Sequence, residues 1–171
     1  WTGSVGNTVT YKDFSFTALV DMLYGGDFIS MTDAYASTAG NSKRSLDGRD
    51  GMVFNGLVEA TGQPNTTSVK AEAFYNSIGG SSAVAEEFMY KRTYVKMAEL
   101  AFGWTLPKQW LTKTPLQAVK LSLVGRDLFY FFKNAPVGAE SSFSREDYAQ
   151  AFEYASLPPT RAIGFSVNVK F

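Results

Sequence analysis

Two acidic pairs, Glu86-Glu87 and Asp47 with Asp50, come nearest to a reactive arrangement in this sequence. Neighbouring carboxylates can divide acid and base duties at a glycosidic bond, or supply oxygen ligands to Ca²⁺. Both pairs fall in expected loops, where carboxylates are ordinarily solvated, so neither is read as catalytic or metal-binding. The 171 residues contain no histidine and no cysteine. A Ser–His or Cys–His nucleophile pair, the commonest zinc ligand, a thiolate metal site and a disulfide framework are thereby excluded within the chain. No catalytic residue, metal or cofactor is expected, and a hydrolase is disfavoured. The formal net charge is zero, which gives no electrostatic reason to expect nucleic acid as a partner.

The remaining charges of interest, Asp21, Glu99, Lys120, Arg126 and Lys170, sit in segments that alternate apolar and polar residues. Five such segments stand out, over residues 5–11, 14–28, 94–106, 118–129 and 163–171. Side chains alternate across a strand, so each segment presents one apolar and one polar face. In the second, Phe14, Phe16, Ala18, Val20, Met22 and Tyr24 oppose Ser15, Thr17, Leu19, Asp21 and Leu23. In the third, Ala98, Leu100, Phe102, Trp104 and Leu106 oppose Glu99, Ala101, Gly103 and Thr105. The fifth lines up Ile163, Phe165, Val167, Val169 and Phe171 against Gly164, Ser166, Asn168 and Lys170. An apolar face against lipid and a polar face against a wet lumen is the pattern of an outer-membrane β-barrel strand. A β-sandwich edge strand gives the same alternation, and a soluble β-sandwich carbohydrate-binding module is the alternative reading.

The connections alternate in length. Lys12-Asp13 is a tight turn, about sixty residues separate the second and third segments, a short link through Pro107, Trp110 and Pro115 follows, and about thirty residues precede the fifth. Short turns on one side and long loops on the other are the rule for outer-membrane barrels. Both long loops then fall outside the cell. Aromatics fit the same topology: Tyr11, Phe14, Trp104 and Phe171 near the periplasmic rim, and Tyr24, Phe28, Tyr94 and Phe129 near the outer rim. Ten residues separate Phe14 from Tyr24 and Tyr94 from Trp104. At ~3.3 Å rise and ~40° tilt that covers about 25 Å, the height of the apolar band between aromatic girdles. Asp21, Glu99, Lys120, Arg126 and Lys170 are possible lumen-facing residues, and Arg126 is expected to fix loop geometry where its strand ends.

The long loops carry their own signals. Ser68 is expected to cap a helix over 69–78 that Gly79-Gly80 closes. Ser144 and Asp147 resemble a capping box, opening a helix through Tyr148 and Phe152 that Pro158-Pro159 ends. Tyr35, Asn41, Asn55, Asn65 and Tyr75 are candidates to contact a sugar or another protein, although substrate-binding residues are not identifiable. No apolar run approaches the ~18 residues of a transmembrane helix. The chain opens on Trp1 without an initiator Met or a signal peptide, and is expected to be a piece of something longer.

These pieces resemble, in order, the carboxyl-terminal part of SusC/RagA-type TonB-dependent outer-membrane transporters of Bacteroidetes. Asn7-Thr8 and Tyr11-Lys12-Asp13-Phe14 look like the family's Asn-Thr and Tyr-Lys-x-Phe hairpin, and Gly25-Gly26-Asp27 like its Gly-Gly-Asp strand end. Gly48-Arg49 and Gly62-Gln63-Pro64-Asn65-Thr66 resemble its loop motifs. Leu100 to Pro107 is similar to its Leu-x-x-Gly-Tyr-x-Leu-Pro strand, with Trp104 in the aromatic place. Gly125-Arg126-Asp127-Leu128-Phe129 resembles its Gly-Arg-Asn-Leu-Phe, and Pro158-Pro159-Thr160-Arg161 through Phe171 its terminus. Where the family commonly has Asp-Pro-Glu, this chain reads Ala135-Pro136-Val137-Gly138-Ala139-Glu140.

The resemblance implies an all-β fold: residues 1–171 as about five carboxyl-terminal strands of a large antiparallel transmembrane barrel, 22-stranded in the family. Its long extracellular loops contain short helices, and the plug domain and earlier strands lie outside the chain. It further implies active import of oligosaccharides or peptides across the bacterial outer membrane. The implied partners are the remainder of the barrel and plug, outer-membrane lipid, a SusD-like surface lipoprotein and the TonB complex, engaged through the absent amino-terminal part. Residues 163–171 would be the strand read during barrel assembly, with Phe171 at its end.

Overall fold

The computed structural model describes residues 1–144 and 146–171. Along them run β1 (Thr2–Tyr11), β2 (Phe14–Leu23), β3 (Asp27–Ser30), α1 (Met31–Thr38), β4 (Met52–Val53), β5 (Ser68–Val69), α2 (Ala71–Ile78), β6 (Met89–Lys91), β7 (Tyr94–Thr105), α3 (Lys108–Leu111), β8 (Ala118–Lys133), β9 (Phe152–Glu153) and β10 (Ala162–Lys170). They form two compact units. The first comprises Trp1–Gly26, Lys91–Ala139 and Pro158–Phe171; the second comprises Asp27–Tyr90 and Glu140–Leu157.

The first unit is one antiparallel sheet in the order β1-β2-β7-β8-β10. Each long strand pairs with the next in sequence, as alternating segments joined by hairpin-like connections must if they do not cross. Lys12 turns the first hairpin with a left-handed φ of 53°, a conformation that a two-residue turn requires and that a non-glycine residue rarely adopts. At the same end, Leu106 N–H donates to Val119 O at 2.8 Å as the chain passes into α3.

Two strand ends and one pairing register differ from the alternation reading. β2 stops at Leu23 rather than near residue 28, because Gly25 and Gly26 take φ of 85° and 79° and turn the chain out of the sheet. β8 runs on to Lys133, well past residue 129. The β7 pairings skip Ala98 on both sides, and β8 skips Asp127 and Leu128 there and Phe131 further on. Such a bulge reverses which face the following residues occupy.

The second unit is built from the two long connections. β3 lies between β6 and β9 in a three-stranded sheet, pairing parallel to β9 with Ile29 opposite Phe152 and Ser30 opposite Glu153. Phe28 and Phe88 are completely enclosed, and Ala34, Ala71 and Tyr75 are buried as well. Phe54 stacks on Phe74 with ring centroids 4.0 Å apart. The Ser30 side chain caps α1 by accepting from Asp33 N–H. α2 begins at Ala71, and Ser68 is in a strand rather than at its cap. The helix expected through Tyr148 and Phe152 falls partly outside the described residues. Within them it is a single 3₁₀ turn, Asp147–Ala149, and Phe152 belongs to β9.

Candidate functional site

In the first unit the strand registers build two chemically opposite faces. Residues directly opposite in an antiparallel pair share a face. On one, Phe14 lies opposite Trp104, and Phe16 opposite Phe102; Trp104 faces Leu121, and Phe102 faces Leu123; Leu123 faces Phe165, and Val119 faces Val169. The face is apolar across the five strands apart from Asn7, which lies opposite Ala18, and Phe14 stacks on Phe102 at 5.7 Å and on Trp104 at 6.3 Å. Apart from the buried Val119 it is nevertheless largely uncovered: Phe165 is 81% exposed, Ile163 76% and Leu123 58%. Val167, Val169 and Phe171 are exposed with them. Tyr11, Phe14 and Trp104 stand at the short-turn end, and Tyr24 packs against Trp1 at the other.

Tyr94 does not join this aromatic set. It lies opposite Leu23 and meets the Tyr130 ring edge-on at 5.9 Å, on the face that carries Asp21. Strict alternation puts Tyr94 on the same face as Trp104; the skipped Ala98 reverses that parity.

The opposite face is polar. One row runs Ser15, Gly103, Ser122, Ser166 across four strands. Asp21, Glu99, Lys120, Arg126 and Lys170 all fall on this face by register. Arg126 Nε donates to Glu99 Oε2 at 3.0 Å across the β7–β8 pairing. A Cβ on Gly103 would lie 2.5 Å from Ser15 Oγ and 2.6 Å from Lys120 Cε, so any larger residue would make the lysine stem and the serine shift. The bulge brings in a residue that alternation assigns elsewhere. Lys96 lies opposite Asp21, is buried, and pairs with Asp127 through Nζ and Oδ1 at 2.8 Å. Asp127 reaches it from a left-handed φ of 49°.

The second unit holds two buried carboxylates. Glu153 accepts from Ser30 Oγ at 2.6 Å, Thr32 Oγ1 at 2.6 Å and Ser156 N–H at 3.1 Å. Asp33 accepts from Ser42 Oγ at 2.6 Å and from the Tyr90 hydroxyl at 2.5 Å. Burial, and then the hydrogen bond to Asp33, push the Tyr90 phenol up to about 12. Arg44 sits beside Asp33 at 3.7 Å and Glu87 at 3.2 Å, with its guanidinium over the Tyr75 and Phe88 rings. This network stabilises a fold and presents no nucleophile. Among the described residues no group of three or more Asp or Glu could hold a metal ion.

Of the loop residues considered for contact, Tyr75 is buried and donates to Arg44 O. Asn65 organises its own loop through Phe54 O and Thr67 N–H. Tyr35 remains exposed, its ring against Tyr154. Asp33, Arg44 and Glu153 carried no local signal, since each acquires its partners from residues distant in sequence.

The described residues thus form a two-faced, five-stranded antiparallel sheet and a separately folded loop unit. No protein-family model matches the chain. Over its whole length it is 25% identical to TonB-dependent receptor P3 of Formosa agariphila, of which it covers 16%. Its fold is similar to that of the RagAB peptide importer in the open-open state, with TM-score 0.62, 15% identity, and cover of 99% of this chain and 17% of that one. For the closed-closed state the values are 0.61, 13%, 97% and 16%. The chain thus spans about a sixth of the length of the proteins it matches. The sequence likeness is to a TonB-dependent receptor, and the fold likeness to the RagAB peptide importer.

Proposed function

We propose that the chain is the carboxyl-terminal segment of a barrel that imports nutrients across the bacterial outer membrane, energised through TonB. The observation that carries this reading is the exposed apolar face, continuous over five strands and backed by a polar face with cross-strand ion pairs. In water such a face is a large destabilising patch; against lipid it is the required surface. A soluble β-sandwich would bury these residues against a second sheet, whereas here they are left open.

On this reading Ile163, Phe165, Val167 and Val169 face lipid, and β10 is the strand that assembles the barrel. Tyr11, Phe14, Tyr24 and Trp104 sit at the interfaces. Asp21, Glu99, Lys120, Arg126 and Lys170 border the lumen, joined by Lys96. An open sheet edge cannot stand in lipid, so β1 and β10 pair with strands from the remainder of a barrel that also holds a plug. The long connections lie on the extracellular side, where a SusD-like lipoprotein and an oligosaccharide or peptide substrate approach. The chemistry of uptake needs no catalytic residue or cofactor in this segment.

The test is where the chain partitions. Expressed within its intact receptor, it should fractionate with the outer membrane and need detergent to stay monodisperse. A folded, monodisperse 171-residue monomer in plain buffer would overturn the proposal.

A further inference from the structure

The first unit contains a cleft of about 500 Å³, in the size range of ligand sites. It opens past the end of the β8–β10 pairing, whose last pair is Arg126 with Ala162. Lys96, Asp127, Tyr130, Lys133, Pro158 and Arg161 line it. Lys96 and Asp127 cancel one another at 2.8 Å. Among the described residues, Lys133 and Arg161 have no carboxylate partner. Lys133 Nζ lies over the Tyr130 ring, 5.4 Å from its centroid, and 3.4 Å from Pro136 O. Arg161 has no hydrogen-bond or ion-pair partner among the described residues. The cleft therefore holds two uncompensated positive charges beside an aromatic ring.

From this we infer that the cleft is a subsite for an acidic oligosaccharide, taking a carboxylate or sulfate between Lys133 and Arg161. The guanidinium fork suits the paired oxygens of either anion, and charge-assisted bonds are the strong ones. A sugar ring carrying the anion can lie along the flat faces of Pro158 and Pro159, with Lys133 held over Tyr130 beside it. The cleft suits a peptide poorly: Pro136, Pro158 and Pro159 also border it, and proline offers no backbone N–H to a peptide carbonyl. The inference rests on the import reading, since it names the substrate class of that proposal.

Calorimetry on the purified intact receptor tests it, with tetragalacturonate, a sulfated tetrasaccharide, maltotetraose and tetraglutamate as probes. At least one anionic sugar should bind more tightly than maltotetraose and weaken with salt. The double variant Lys133→Gln/Arg161→Gln should cost that sugar at least about tenfold in affinity, while Lys108→Gln/Lys113→Gln costs none. Affinity unchanged in the double variant, equal binding of the neutral sugar, or binding of tetraglutamate alone would overturn the inference. Uptake assays separate it from the import reading. TonB-dependent uptake of a neutral glycan or peptide, indifferent to the double variant, would sink the subsite and leave the importer. Anion binding that depends on both residues, without any TonB-dependent uptake, would do the reverse.

Discussion

Glu153 Oε2 accepts a 2.6 Å hydrogen bond from Ser30 Oγ, a residue 123 positions earlier in the chain. Both side chains are buried. This contact makes the two long connections into one folded unit, since Thr32 and Ser156 complete the coordination of the same carboxylate. Glu153→Ala leaves the buried Ser30 hydroxyl and the part-buried Thr32 hydroxyl without their acceptor and should lower the local opening free energy of the second unit by about 2–4 kcal/mol. Hydrogen exchange over residues 27–38 and 150–157 reads it; unchanged protection there would refute the assignment.

Tyr90 makes the second unit sensitive to alkali. Its phenol ionises at about 12 in the folded protein, raised from the ordinary value of 10.0 by burial and by its bond to Asp33. A group with a raised folded-state value contributes stability that is complete below the unfolded value and lost as pH rises through the folded one. Protection of this unit should therefore hold up to about pH 10 and fall between there and about pH 12. Tyr90→Phe should remove that component while lowering protection at neutral pH.

The Lys96–Asp127 and Glu99–Arg126 pairs should differ in weight. Arg126 is mostly exposed, so Glu99→Gln should change stability by under about 1 kcal/mol. Lys96 is buried, and Asp127→Ala should cost about 3 kcal/mol because it removes the carboxylate paired with a buried ammonium. Asp127→Val should cost more than Ala, because a β-branched residue also resists the left-handed φ of 49°. Thermal melts of the intact receptor in detergent give the ranking.

Much of the sheet was legible because period-two alternation survives wherever strands pair regularly. Phe14 to Met22 and Ile163 to Val169 occupy the faces their spacing implies. Alternation failed at the skipped Ala98, where one unpaired residue carried Tyr94 to the polar face and brought Lys96 beside Asp127. A bulge has no signature in hydrophobic spacing, because it changes parity without changing residue type. β2 ends short of the apolar Phe28 for a readable reason: Gly25-Gly26 breaks the strand. The second unit was hardest to read. Its helices are short, its three-stranded sheet uses pieces as small as Phe152–Glu153, and its buried carboxylates find their hydroxyl partners only through long-range pairing.

The apolar face should reject charge and the polar face accept it. Phe165→Lys introduces an ammonium into the proposed lipid contact, costing about 2–4 kcal/mol near the bilayer midplane and lowering outer-membrane levels of the receptor. Ser166→Lys, one residue on, points to the opposite face and should assemble normally. Surface levels by immunoblot of outer-membrane fractions compare the two.

The chain contains no cysteine, so within it a single introduced thiol reports on one position alone. The most direct measurement labels Phe16→Cys, Phe102→Cys, Leu123→Cys and Phe165→Cys, and separately Ser15→Cys, Ser122→Cys and Ser166→Cys, with a fluorophore in the reconstituted intact receptor. Quenching is then read from nitroxide lipids and from a water-soluble quencher. The first set should be quenched by lipid and the second by the aqueous reagent, alternating residue by residue between 165 and 166. Equal aqueous quenching at both sets would contradict the membrane-spanning sheet on which this account depends.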